Sequence, residues 1–132
     1  MKKTFLHGII SGILATAASV IYANIYQKAL GADFGKIVTL GGIAGTTIFA
    51  CLLMALTYWV LWKINKPHLT GVLNIVIALV SFATIIGPIG MSLPLDIHNP
   101  ELFPGLVVPM HFFPALAFFC VAPFFHGSKK VV

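Results

Sequence analysis

Four stretches of this chain, Thr4–Tyr26, Ile37–Trp62, Leu69–Leu95 and Leu102–Phe125, are almost wholly apolar, and none carries Asp, Glu, Lys or Arg in its central part. Each exceeds the roughly 20 residues that a helix needs to cross about 30 Å of hydrocarbon. Lipid offers no partner to a backbone amide, so a segment immersed in it must satisfy its own N–H and C=O groups. A helix does so within one segment, and the period-2 alternation of a membrane barrel is absent here. The fold class read from this is all-α, a single domain of four transmembrane helices at about 4–26, 37–62, 69–91 and 105–125. Short connections such as "KINKPH" make sequential helices neighbours, giving an antiparallel, up-down bundle. Composition agrees, with 59% hydrophobic and 8% charged residues against roughly 25% charged in soluble domains.

The net charge of +5 is a topology signal and not a nucleic-acid footprint. All basic residues are lysines flanking the spans. Lys2, Lys3, Lys63, Lys66, Lys129 and Lys130 share one side of a four-span weave, and Lys28 and Lys36 the other. The positive-inside rule therefore puts both termini in the cytoplasm. Asp33, Asp96 and Glu101, the acidic residues, fall in the two loops this assigns to the outside. The start, "MKKTFLHGIISGILATAASVIYA", resembles a signal peptide with small residues near Ala15–Ala17. Apolar character nevertheless continues to Tyr26, which favours an uncleaved first span. Cys51 and Cys120 lie inside spans without any C-x-x-C, so buried free thiols are expected rather than redox chemistry.

Small residues mark candidate packing faces: Gly8 and Gly12 in span one, continued by Thr16 and Ser19; Gly41 and Gly45 in span two; Gly71, Asn74, Ala78 and Ser81 in span three. Such stripes let membrane helices approach closely, within one chain or between copies. Asn24 and Asn74 need polar partners or water, because an unpaired amide in hydrocarbon costs several kcal/mol. An apolar ligand or transported substrate would use the Asn74–Ser81 face together with the segment Gly87–Gly105, where Pro88, Pro94, Pro100 and Pro104 make continuous helix untenable.

"VVPMHFFPALAFF" sets His111 between Pro109 and Pro114, which withdraw amide donors from the carbonyls of Gly105 and Met110. A neutral imidazole is expected to donate to such a carbonyl, on an inward face shared with Ala115, Phe118 and Ala122. A sharper reading gathers Met91, Asp96, His98, Glu101, Met110 and His111 as donors to copper or zinc. No ligand-type spacing supports it, and no metal or other cofactor is assigned. His7 and His126, at the inner ends of neighbouring spans, are conceivable haem ligands, or simply wet interfacial residues. No nucleophile–base pair, intramembrane carboxylate or arginine is present, so no enzyme is indicated. The sequence points to an accessory or self-associating membrane module, whose partners are the bilayer and a second copy or another membrane protein. The alternatives are a small transporter or lipid binder, and a metal or haem redox protein.

"NIYQKALGADF" after span one and "MHFFPALAFFCVAPFF" in span four resemble an uncharacterised, domain-of-unknown-function family of small four-span bacterial membrane proteins. The resemblance implies a multi-pass protein of the bacterial cytoplasmic membrane and carries over no catalytic residue.

Overall fold

The computed structural model describes residues 2–126 and is helical, with no strand among the described residues. Four helical segments are long and apolar enough to cross a membrane: Lys2–Leu30, Leu40–Lys63, Pro67–Gly90 and Pro100–His126. The first two are the uninterrupted helices α1 (Lys2–Leu30) and α2 (Leu40–Lys63). The third combines a 3-10 turn at Pro67–Leu69 with α3 (Thr70–Thr84) and the short α4 (Ile86–Gly90). The fourth combines a 3-10 turn at Pro100–Leu102 with α5 (Phe103–His126).

The ends follow from local chemistry. Helix α1 runs past Tyr26 to Leu30, where Gly31 takes a left-handed φ of +64° and the Ala32 amide bonds back to the Gln27 carbonyl at 3.0 Å. This is a Schellman stop, natural for a residue without a Cβ. Helix α2 begins on Thr39, whose hydroxyl accepts from the Gly42 amide at 3.1 Å, and ends in the same type of stop. There Asn65 supplies the positive φ, and the Asn65 and Lys66 amides bond to the Trp62 and Leu61 carbonyls. Pro67 then opens the third span, where its missing amide is not needed. Within that span Pro88 offers no amide to the carbonyl of Thr84, and the ladder breaks at Ile85 before resuming as α4. The helix thus persists to Gly90, beyond the first proline, and the irregular stretch is narrower than Gly87–Gly105.

Packing is uneven. Helix α1 lies against both α2 and α5, while α5 also touches α2, α3 and α4. One cluster joins Ala15 of α1, Cys51, Met54, Ala55 and Tyr58 of α2, and Ala115 and Phe118 of α5, with Ile77 inserting from α3. A second cluster, around Ala23, Phe34, Ile43, Phe103, Leu106 and Met110, closes the other end. Phe34, fully buried, plugs that end from the loop after α1, and its amide donates to the Gln27 side chain at 2.6 Å. Helix α3 buries Ile77 alone and leaves Val72, Ile75, Leu79 and Phe82 exposed.

Candidate functional site

Proximity of α1 and α2 depends on two positions without side chains. A Cβ at Gly8 would stand 2.9 Å from the Ala55 Cβ and 3.1 Å from the Cys51 carbonyl oxygen; one at Gly12 would stand 2.9 Å from the Ile48 Cα. Beside them the Thr16 and Thr47 hydroxyls lie 2.7 Å apart, so that one can donate to the other while the other donates to a carbonyl of its own helix. Gly41, Gly45 and Gly71 lie differently. Among the described residues no heavy atom outside their own stretch of helix comes within 4 Å of the positions their Cβ atoms would take, so they bring no two of the described helices together, and Ala78 is only half-buried. The expectation is corrected only for packing within the chain: the faces of α2 and α3 that carry Gly41, Gly45 and Gly71 turn away from its core.

That close approach frames a polar cluster at the end of the molecule where α1 begins and α5 ends. His7 is 0% exposed. Its Nε2 donates to the Phe118 carbonyl at 2.9 Å, and its Nδ1 lies 3.2 Å from the Nε2 of His126. The His7 ring stacks on Phe118 and Phe125, with centroids 3.9 and 5.4 Å away, and meets the edge of Tyr58 at 6.2 Å. Tyr58, also buried, donates its hydroxyl to the Asn74 side-chain oxygen, the one side-chain hydrogen bond from α3 to another helix among the described residues. The Trp62 ring lies nearly parallel to that of His126, with centroids 6.3 Å apart. His7 and His126 touch directly, so no macrocycle fits between them and the bis-histidine haem reading is overturned. Neither ring is simply wet. Sequence reasoning set His7 aside as interfacial, although it shares an i, i+4 line with Ser11, Ala15, Ser19 and Ala23, all buried.

At the opposite end, proline chemistry decides the contacts. The Gly105 carbonyl, deprived of a donor by Pro109, accepts the Tyr22 hydroxyl at 2.7 Å. The Tyr26 hydroxyl donates to the Leu102 carbonyl at 2.9 Å and sits where a Cβ on Gly105 would be. His111 does not perform this task. Its Nδ1 lies 2.7 Å from the Val107 carbonyl of its own helix, and the ring is half-buried. The inward face of α5 runs through Leu106, Met110, Pro114, Ala115, Phe118 and Val121; of the expected face, Ala115 and Phe118 are buried, while His111 and Ala122 lie half-buried at its edge.

The remaining candidates stay local or apart. Asn24 is exposed and donates to the Val20 carbonyl at 2.9 Å; Ser81 bonds to the Ile77 carbonyl at 3.0 Å. The proposed metal donors are not gathered: Met91 and His98 are exposed, Met110 is in the core, and Asp96 pairs with Lys36 at 3.2 Å. Among the described residues no three His, Cys, Asp or Glu side chains converge. An apolar cleft of about 410 Å³ lies where α4, the following loop and the start of α5 meet, lined by Pro88, Ile89, Leu93, Pro94, Ile97 and Phe103 among others. Comparison with family models, curated proteins and solved structures returns no match for the chain.

Proposed function

We propose that this chain is a four-span protein of the bacterial cytoplasmic membrane. Its helices alternate in direction, both termini face the cytoplasm, and it works as a non-enzymatic module that associates with a second copy of itself or with a partner membrane protein. Alternation is supported by contacts between opposite ends: His7 with Phe118, and Tyr22 with Gly105. Orientation rests on the lysine bias, since Lys2, Lys3, Lys63 and Lys66 are all at the His7 end in that weave.

The observation that carries the associative reading is the open face of α2, where Gly41 and Gly45 have nothing within 4 Å, beside a third span that buries one residue. In lipid an apolar surface does not by itself drive association, whereas small residues that admit a neighbouring backbone do. Native mass spectrometry of the detergent-solubilised protein tests this. The wild type is expected as a dimer or larger, and Gly45→Leu as a monomer with unchanged melting behaviour; a monomeric wild type in both detergent and nanodiscs overturns the proposal.

A second reading has its own support in the proline-lined cleft, whose volume falls in the range of small-ligand sites. As an apolar-ligand or lipid site it would retain a co-purifying lipid that Phe103→Ala releases; identical lipid content in both proteins argues against it.

A further inference from the structure

We propose that His7 and His126 form a proton-binding latch that ties the start of α1 to the end of α5 with no more than one added proton, and releases with two. The assignment follows from which atoms can donate. The Phe118 carbonyl only accepts, so the Nε2 of His7, 2.9 Å away, carries a hydrogen. In the neutral ring Nδ1 is then a lone pair, and it faces the Nε2 of His126 at 3.2 Å. His126 must therefore donate through Nε2–H, which leaves its Nδ1 as the pair's open acceptor.

The first proton binds at that Nδ1. His126 becomes an imidazolium that still donates through Nε2, and the bond to His7 gains charge assistance. The rings of Tyr58 and Trp62, centred 5.4 and 6.3 Å from that of His126, flank the cation. The second proton has only Nδ1 of His7 to occupy. That atom points at an N–H, so the proton replaces an acceptor with a donor and breaks the bond. It also sets two cations side by side.

Among the described residues nothing anionic at this end offsets that repulsion. Helix α1 contributes the exposed Lys2 and Lys3; α2 contributes Tyr58 and Lys63, whose ammonium lies 4.9 Å above the Trp59 ring; α3 offers the neutral Asn74, and the 3-10 turn before it the exposed His68. The acids Asp33, Asp96 and Glu101 belong to the two loops at the other end.

The latch predicts a particular order of events. In nanodiscs, imidazole nitrogen NMR at pH 7.5 should find His7 as the Nε2–H tautomer, and acidification should protonate His126 before His7. Spin labels replacing Lys3 and Phe124 should separate with the second step and not the first. His7→Gln keeps a donor for Phe118 and an acceptor for His126 but binds no second proton. Wild-type melting temperature should fall by about 5 °C or more between pH 7.5 and 5, whereas H7Q should hold steady. Protonation of His7 first, or separation of the labels independent of His7 protonation, overturns the latch. So does a parallel fall in H7Q.

Discussion

Helices α1 and α2 each contain a G-x-x-x-G step, and the two steps have opposite fates. Gly8 and Gly12 lie under the backbone of α2, with an added Cβ meeting carbon atoms at 2.9 Å, while Gly41 and Gly45 look onto empty space. The spans differ in the same way. Three of them share a core that contains Cys51, Tyr58 and Phe118, whereas the third commits Ile77 and little else. Apolar content does not separate the packed regions from the open ones, because all four spans qualify for a membrane on that count. What separates them is whether small residues coincide with hydrogen-bonding partners on the facing helix. Thr16 and Thr47 flank Gly12; Thr46, beside Gly45, bonds only within α2.

The largest test of that contrast exchanges the two glycine steps. Gly12→Leu drives a side chain into the Ile48 backbone, which cannot yield as a flexible side chain would. It should cost about 3 kcal/mol. Gly45→Leu meets nothing inside the chain and should change monomer stability by less than about 0.5 kcal/mol. Reversible unfolding of both variants in mixed micelles measures the difference. Equal losses would mean that the open face is packed after all.

A smaller effect belongs to the proline-freed carbonyl. Tyr22→Phe leaves the Gly105 oxygen without its donor at a helix that Pro109 has already opened. The expected loss is about 1–2 kcal/mol. Gly105→Ala should be worse than its size suggests, because the Tyr26 hydroxyl occupies the space the methyl needs.

The third span should register its weak attachment. Tyr58→Phe and Asn74→Leu each remove the same hydrogen bond, and membrane hydrogen bonds average about 0.6 kcal/mol. Each variant should lose about that much. The double variant should lose no more than either alone, and additive losses would show that the two side chains act separately.

Much of this architecture was legible in the sequence, and the limits are physical. Span number follows from the length of charge-free apolar runs, and the stop at Gly31 and the start at Pro67 from local backbone chemistry. Helix rotation is a tertiary property. A stripe such as Gly41–Gly45 looks the same whether or not a neighbour lies opposite. His7 stayed hidden for a related reason: its partners, Phe118 and His126, are more than 100 residues away. The line it forms with Ser11, Ala15 and Ser19 was the available signal. His111 stood out because of its flanking prolines, yet the freed carbonyl found Tyr22. Since the Val107 carbonyl it touches lies within α5, where His111's own amide can serve it, His111→Ala should cost less than about 1 kcal/mol. A loss of several kcal/mol would restore this residue to the center of the fold.

The smallest effect lies at the loop end, where Lys36, between α1 and α2, meets Asp96, beyond the third span, at 3.2 Å. This pair is the charged tie between the packed trio and the loosely held span among the described residues. The hydrogen bond from Lys36 holds the Asp96 carboxyl below its ordinary range, with the Asp96 backbone bond and the lysine charge adding to it. A carboxylate whose folded pKa is depressed stabilises the fold above its unfolded pKa, and that contribution is lost as pH falls through the folded value. Acidification below pH 4 should therefore loosen this corner, and raising the pH above neutrality should not. Both groups are largely exposed, so salt should screen the pair. Carboxyl carbon NMR of Asp96 reads the effect directly: its titration should move upward in Lys36→Ala and in high salt. A titration unmoved by either would leave the third span's far end held by its backbone alone.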